Sequence, residues 1–259
     1  LGNDHPKTLE SINEMGNLLQ GQGRYHKAVP YYTEALEGSR RVLGDAHRET
    51  IIYANNIGLV LYRLEKYDEA MPYFEEGLEA SRRALGDDHP DTLMLIGNMA
   101  ALLADREQYD DAMRYAFDGL EASRRSLGDE HPRTLHLMDV VAYVLSFQGR
   151  HDEAKQYRTD ILEINRRVLG DRHPDTIDSQ LNLAIALHTL GQYEEAYESY
   201  AESLEVSRSV RGERHPTTLH AIRSLVMLCD AWHEAEPDAG HDVTAAEYRA
   251  LLEELRSSD

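Results

Sequence analysis

The 259-residue sequence has a single cysteine, Cys229, and this scarcity limits the chemistry available to it. One thiol cannot build an intrachain disulfide framework, nor can it supply the thiolates of a cysteine-rich zinc or iron–sulfur site. Cys229 lies in an apolar stretch, which favours a buried structural thiol over a nucleophile. These features predict a protein of the reducing cytoplasm.

Long apolar runs and basic residues are also scarce. No run approaches the roughly 20 apolar residues that a membrane-spanning helix needs. The sequence has 27 Lys and Arg against 47 Asp and Glu, which gives a formal net charge of −20. Phosphate backbones and anionic membrane surfaces are bound by clustered basic side chains. We therefore expect neither a nucleic-acid partner nor a membrane partner.

Catalytic motifs are missing as well. The sequence has no glycine-rich phosphate loop, no Gly-x-Ser-x-Gly elbow and no His-Glu-x-x-His zinc motif. Six of its 13 histidines recur once every 42 residues, a spacing that predicts capping or packing roles rather than shared metal ligation. We therefore expect no catalytic residue, no metal site and no cofactor, and interpret the protein as a non-enzyme.

What the sequence does have is a repeat of 42 residues. Leu-Gly pairs recur at this spacing, with a histidine three residues after each glycine and a threonine three residues further on. Proline follows the histidine in every copy except the second, where Arg48 replaces it. The threonines are Thr8, Thr50, Thr92, Thr134, Thr176 and Thr218. A spacing that stays fixed over five copies indicates a repeat architecture.

Each unit predicts two helices. The first opens at the His-Pro step, because proline suits the first helical position, and the aspartates just before it are candidate caps. The second begins near Tyr25 and its equivalents and runs to the next Leu-Gly, where glycine is expected to supply a left-handed residue. A hairpin of this size cannot bury its own apolar face, so the units must stack into a solenoid.

We interpret the chain as a single repeat domain, residues 1–259. Its units are 1–42, 43–84, 85–126, 127–168 and 169–210, followed by a degenerate sixth unit at 211–242 and a cap helix at 243–259. Proline and glycine predict a loop from Trp232 to Gly240, and helical spacing resumes from Thr244 to Leu255. Because Leu1 falls in the phase of a repeat junction, we also expect the chain to be a fragment.

The repeat resembles a known family. The small residue in the first helix (Gly16 and its equivalents), the tyrosine that opens the second helix and the alanine three residues later resemble the tetratricopeptide repeat. The 42-residue unit, with its Leu-Gly-Asp-x-His-Pro-x-Thr-Leu junction, is similar to the kinesin-light-chain variety and to bacterial multi-repeat arrays. The resemblance covers about residues 1–233. It implies an all-α, right-handed superhelical solenoid of helical hairpins.

The family resemblance also implies a concave groove lined by the first helices. Asparagine in that groove can pair with the N–H and C=O of an extended peptide, and apolar and aromatic groove positions can hold its anchors. Groove arginine is confined to Arg223, which argues against a clamp for an acidic tail. The candidate peptide-binding residues are Asn13, Asn17, Asn55, Leu59, Tyr62, Met94, His136, Asp139, Tyr143, Ile185, His188 and Arg223.

These features lead to a functional hypothesis. We interpret the protein as a non-catalytic scaffold that holds an extended or helical partner segment in its concave groove. The expected partner is a protein or peptide segment, neutral or basic, with apolar anchors. One alternative is a homo-oligomerising solenoid module, which works by self-association. Another is the sensor or regulatory C-terminal arm of a larger signalling enzyme, either a kinase or a nucleotide-binding switch protein.

Overall fold

The computed structural model describes residue 2 and residues 4–257 of the chain, and this part is all-helical. It has no strands, one 3-10 helix at Pro237–Ala239 and twelve α-helices. The α-helices are α1 (Pro6–Gly21), α2 (Tyr25–Leu43), α3 (Arg48–Arg63), α4 (Tyr67–Leu85), α5 (Pro90–Asp105), α6 (Tyr109–Leu127), α7 (Pro132–Phe147), α8 (His151–Leu169), α9 (Pro174–Thr189), α10 (Tyr193–Arg211), α11 (Pro216–Ala235) and α12 (His241–Ser257). The predicted all-α class and the predicted helical hairpins are confirmed.

The chain divides into two compact units, and the first is Leu1–Phe147. Within it, α1 packs on α2, α3 on α4 and α5 on α6, while each second helix also packs on the first helix that follows it. The helix α5 contacts both α3 and α7 directly. We call α1, α3, α5 and α7 the first-helix layer, because they are the first helices of successive repeats.

The second unit is Gln148–Asp259. Its helices α8 to α12 pack in chain order, each on the next, and α9 also contacts α11. A cluster of buried apolar side chains from α9, α10 and α11 forms its core. The stripe predicted for the cap helix covers this core, since Tyr248, Leu251, Leu252 and Leu255 pack against it.

The first helices begin where the sequence predicts, but aspartate does not cap them. The junction histidine does, because its imidazole Nδ1 accepts a hydrogen bond at 3.1–3.3 Å from the backbone N–H two residues later. The prediction of aspartate caps is therefore wrong. At four junctions one aspartate instead pairs with an arginine in the last turn of the preceding helix. These pairs are Arg40–Asp45, Arg82–Asp87, Arg124–Asp129 and Arg166–Asp171.

The glycine that ends each second helix has positive φ, as predicted. At Gly44, φ is 85° and ψ is 165°, which is a region that only glycine occupies readily rather than the left-handed helical region. The turn inside each hairpin is different. Gly23, like its equivalents Gly149 and Gly191, is in the left-handed region there, but Glu65 (φ 59°) and Glu107 (φ 62°) hold this conformation in two repeats.

A buried pair of hydroxyl groups joins one repeat to the next at four of the five junctions, and Asn165 replaces the serine at the fourth. Ser123 at the end of α6 is hydrogen-bonded to Thr134 at the start of α7, with 2.7 Å between the oxygens. Thr134 in turn donates to the carbonyl of Gly128 at 2.7 Å, so Ser123 is the donor to Thr134. The serine–threonine pair recurs at Ser39–Thr50, Ser81–Thr92 and Ser207–Thr218. The conserved spacing of His, Pro and Thr within one sequence thus serves the contact between repeats.

Small residues in the first helices make room for large ones in the second. A Cβ added to Gly16 would lie 2.6 Å from the ring of Tyr32, and one added to Gly58 would lie 2.6 Å from the ring of Phe74. Both rings are fully buried. In the third repeat the facing pair is Ala100 and Ala116. The small residue that marks the repeat is therefore set by the side chain it faces.

The sixth repeat differs from the prediction at one point. The loop expected from Trp232 is wrong for its first residues, because α11 continues to Ala235. The chain then turns through the 3-10 helix and through Gly240, which has a left-handed φ of 81°. Cys229 is buried on α11 as predicted, and burial raises the pKa of its thiol to about 11, with a smaller contribution from Asp230.

The junction hydrogen bonds give a first prediction. Thr134→Val keeps the shape of the side chain but leaves the buried Ser123 hydroxyl without its acceptor and the Gly128 carbonyl without its donor. We expect the free energy of unfolding to fall by about 1–3 kcal/mol. Thr33→Val is the matched control, because the Thr33 hydroxyl bonds only to the carbonyl of Val29 in its own helix. Urea unfolding followed by circular dichroism measures both, and equal effects would contradict this role of Thr134.

The two strained glutamates give a second prediction. Glycine at residue 65 or 107 relieves the left-handed strain but also makes the unfolded chain more flexible. We expect Glu65→Gly and Glu107→Gly each to raise the free energy of unfolding by about 0.5–1 kcal/mol. Gly191→Ala, at the equivalent turn, should lower it. Thermal unfolding measures the stability of all three variants. A loss of stability in both Glu→Gly variants would contradict the conclusion that the two glutamates are strained.

Candidate functional site

The candidate groove residues fall into the two units. Nine lie on the first-helix layer of the first unit, and Ile185, His188 and Arg223 lie on α9 and α11 of the second. In the first unit Leu59, Tyr62, Met94, Asp139 and Tyr143 are partly exposed, and Asn17 and His136 are exposed. The first-helix layer thus presents most of its candidate residues to solvent.

Two of the candidates, Asn13 and Asn55, are buried instead. They are 6% and 2% exposed, and each amide oxygen accepts a hydrogen bond from the next repeat. Asn56 donates to Asn13 at 2.9 Å, and Asn98 donates to Asn55 at 2.7 Å. These amides tie neighbouring first helices together. The pairing of Asn13 and Asn55 with a peptide backbone stays a prediction. In such a pairing each amide oxygen would exchange its present asparagine donor for a peptide N–H.

Asn17 is held in a second polar contact. The hydroxyl of Tyr32 lies 2.9 Å from Asn17 Oδ1 and 2.9 Å from Gln20 Oε1 and donates between them. Asn17 Nδ2 donates to the carboxylate of Glu14 at 3.1 Å. Burial, together with the charge of Glu14, raises the pKa of Tyr32 to about 12. The exposed amide of Asn17 is therefore fixed in orientation.

Two candidate tyrosines meet at an aspartate that the sequence analysis did not single out. The hydroxyl of Tyr143 on α7 donates a hydrogen bond to Asp105, the last residue of α5, and Tyr62 on α3 lies beside both of them. Three successive first helices thus contribute one side chain each. We call Tyr62, Asp105 and Tyr143 the tyrosine–aspartate cluster. Within its repeat, Asp105 lies one position later than Tyr62 and His188 do in theirs. The position of Asp105 is occupied in the neighbouring repeats by Arg63 and Phe147.

Further aromatic rings surround this cluster. The ring centroid of Tyr67 lies 5.7 Å from that of Tyr62, and the ring of Phe147 lies 4.9 Å from Tyr143 in an edge-on arrangement. Tyr109 stacks on Phe147 at 5.9 Å. Phe147 is 45% exposed, so the aromatic surface continues to solvent. Such a surface presents both apolar area and negatively polarised ring faces.

Burial and Asp105 both act on the tyrosine hydroxyls. Burial is the largest cause that raises the pKa of Tyr62 and of Tyr143 above the ordinary value. Asp105 raises both pKa values further, through its negative charge and, at Tyr143, through the hydrogen bond that it accepts from the protonated phenol. The nearby Arg63 opposes the change at Tyr62. Both hydroxyls therefore remain donors at neutral pH.

His136 occupies the space above the backbone of Gly97. A Cβ at residue 97 would lie only 3.0 Å from the imidazole Nε2 of His136. Crowding by neighbouring helices desolvates the ring and lowers its pKa, an effect opposed by Asp139 and reinforced by Arg133. One side of the ring remains exposed. At neutral pH His136 is therefore a neutral hydrogen-bonding group on the first-helix layer.

In the second unit the candidates lie beside an aromatic stack. His188 meets Tyr193 at 6.2 Å between ring centroids, and Trp232 stacks with Tyr193 at 6.2 Å and with His241 at 3.8 Å. Burial lowers the pKa of His188. Ile185 packs against the core of the unit, and Arg223 is exposed.

The structure also bears on metal sites and on membrane-spanning helices. Among the residues that the structure describes, no three His, Cys, Asp or Glu side chains come together as a potential metal site. None of the helices in residues 4–257 combines the length and the apolar character needed to cross a membrane.

A family model for the tetratricopeptide repeat matches the chain in overlapping segments. The matched residues are 7–83, 54–116, 97–157, 141–196 and 178–237. Together these segments span far more than half of the sequence. No curated protein sequence matches the chain.

Solved structures with the same fold include those of a kinesin light chain repeat array, BtubC and a Rap protein. The nearly identical TPR-like repeats of a Podosopora anserina kinesin light chain are 21% identical, with a TM-score of 0.60 over 82% of this chain and 99% of that one. BtubC (BKLC) from P. vanneervenii is 14% identical, with a TM-score of 0.68 over 88% and 92%. A Rap protein complexed with competence and sporulation factor is 15% identical, with a TM-score of 0.67 over 95% and 74%. At these identities the likeness shows the fold.

The tyrosine–aspartate cluster gives a third prediction. Asp105→Asn keeps a hydrogen-bond acceptor but removes the negative charge, so ionisation of the neighbouring phenols becomes easier. We expect the pKa of Tyr62 and Tyr143 to fall, yet to stay above the ordinary value because burial remains. An alkaline titration followed by NMR of ring-labelled tyrosine measures this. Asp118→Asn, at an exposed position on α6, is the control, and unchanged tyrosine titration in the Asp105 variant would contradict the contact.

Proposed function

The chain belongs to the tetratricopeptide repeat family, and from this premise we propose that it is a protein-binding scaffold. Its first-helix layer in the first unit holds an extended or helical segment of a partner. Ile185, His188 and Arg223 are proposed as a separate contact surface on the second unit.

Partly exposed apolar side chains on the first-helix layer are the observation that carries the proposal. Ile52 and Leu59 lie two helical turns apart on the same face of α3, and Met94 on α5 is the counterpart of Ile52 in the next repeat. All three are partly exposed. Water contact with this surface is unfavourable by about 25 cal/mol per Å² of apolar area, so a segment that covers it gains binding free energy. Surfaces of this type take peptides with apolar anchors.

The charge of the chain supports a neutral or basic partner. With a formal net charge of −20, the protein repels acidic segments and attracts basic ones before contact is made. The Rap protein with a similar fold was solved in complex with competence and sporulation factor, so this kind of helical array accommodates a bound factor. Self-association and a role as the regulatory arm of a signalling enzyme stay predictions with no specific contact in their favour.

An array of short synthetic peptides of random sequence tests the scaffold proposal. We expect the chain to capture a subset of peptides rich in apolar residues. The double variant Leu59→Ala/Met94→Ala should weaken this capture at least about tenfold, because both anchors' contacts are lost. Asn13 and Asn55 are less suitable for this test, since their substitution also breaks hydrogen bonds between helices.

The control variant for this experiment is Val42→Ala/Phe117→Ala. It truncates two exposed apolar side chains on the second helices α2 and α6 instead. We expect it to capture the same peptides as the native chain. Equal losses of capture in the two double variants would show that the peptides do not bind at the first-helix layer. A complete lack of captured peptides would refute the scaffold proposal.

A further inference from the structure

Among the described residues Asp105 has no cationic partner, unlike two other aspartates on first helices. Asp91 is paired with Arg48 at 2.7 Å and Asp178 with Arg211 at 3.1 Å. Among the described residues, the hydrogen bond to Asp105 comes from the neutral hydroxyl of Tyr143, and Tyr62 lies beside it. Neutral donors orient a carboxylate without cancelling its charge. The cluster therefore presents a fixed negative charge on the proposed binding surface.

The nearest arginine in sequence is directed elsewhere. Arg106 follows Asp105 directly, but its guanidinium pairs with Asp68, at the start of α4. Arg63, which lowers the pKa of Tyr62 through its charge, forms no ion pair with Asp105 among the described residues. The chain thus holds basic side chains close to Asp105 without using one to neutralise it. The charge remains available to a cation from outside the chain.

The aromatic rings around Asp105 suit a particular kind of cation. Tyr62 and Tyr143 flank the carboxylate, and Tyr67, Phe147 and Tyr109 extend the aromatic surface on either side. Ring faces attract guanidinium and ammonium groups, which can shed part of their hydration. A divalent metal ion, in contrast, takes several oxygen ligands, and a single carboxylate supplies too few. The surroundings thus favour an organic cation.

We propose that the tyrosine–aspartate cluster binds a basic side chain of the partner, with the guanidinium of an arginine paired to Asp105 and lying against the rings of Tyr62 and Tyr143. This inference rests on the proposed function and deepens it, because it names the residue type that the scaffold selects. The apolar residues Leu59 and Met94 hold the neighbouring part of the segment. Asp105 is the specificity-determining residue.

Two small probes test this inference without a peptide. N-acetyl-arginine amide carries the guanidinium, and N-acetyl-citrulline amide has the same shape without the charge. NMR of ring-labelled tyrosine gives the dissociation constant of each probe. We expect the native chain to bind the arginine probe at least about tenfold more tightly than the citrulline probe, as an ion pair and ring contacts together allow. Signals of Tyr62 and Tyr143, assigned by Tyr→Phe substitution, should shift most.

Variants assign the preference to one carboxylate. In Asp105→Asn the ratio of the two dissociation constants should fall to near one, while Asp118→Asn, which removes the same charge from α6, should keep the native ratio. Equal binding of the two probes to the native chain would overturn the inference, as would a preference that survives in Asp105→Asn. Arginine-dependent shifts confined to other tyrosines would also overturn the inference. This last measurement uses the native chain, so it does not depend on whether a variant folds.

The probe result and the peptide result are separable. If the chain captures peptides through Leu59 and Met94 but does not discriminate between the probes, the scaffold proposal stands and the role of Asp105 is wrong. If no peptide is captured, the scaffold proposal fails whatever the probes show. Among captured peptides, replacing each arginine by citrulline should weaken capture in the native chain and leave capture by Asp105→Asn unchanged.

Discussion

Buried serine and threonine hydroxyls, hydrogen-bonded at the junctions between hairpins, are the contact on which the rest of the structure depends. At Ser123 and Thr134 the two oxygens lie 2.7 Å apart, and the threonine also donates to the carbonyl of the glycine that ends the preceding helix. A buried hydroxyl pair tolerates little displacement, since a lost bond leaves two polar groups unsatisfied. These pairs therefore fix where α3, α5, α7 and α11 each lie relative to the helix that precedes them.

Regular placement of the first helices allows side chains from three repeats to meet. Tyr62, Asp105 and Tyr143 each occur once, at positions where other repeats carry different residues. Their convergence depends on the repeated frame, but their chemistry is individual to this chain. The same division holds along the first-helix layer, where Asn13 and Asn55 stabilise the stack while Leu59 and Met94 remain available to a partner. Function in this architecture resides in the residues that depart from the repeat.

The sequence predicted most of the fold because its local signals agree. Proline marks the start of the first helices, tyrosine or histidine the start of the second, and glycine with positive φ the end of each hairpin. Other features depend on contacts between repeats that no local pattern reveals. The histidine cap displaced the expected aspartate cap, and α11 continued to Ala235. The burial of Asn13 and the position of Asp105 follow from neighbours that are 43 and 38 residues away in sequence.

A structure of the chain bound to a captured, arginine-containing peptide tests the central claim most directly. The account predicts that the peptide lies along α3, α5 and α7, with its apolar side chains on Leu59 and Met94 and one guanidinium at Asp105 between the two tyrosine rings. A peptide bound to the second helices α2, α4 and α6, or one that leaves Asp105 uncovered, would contradict it.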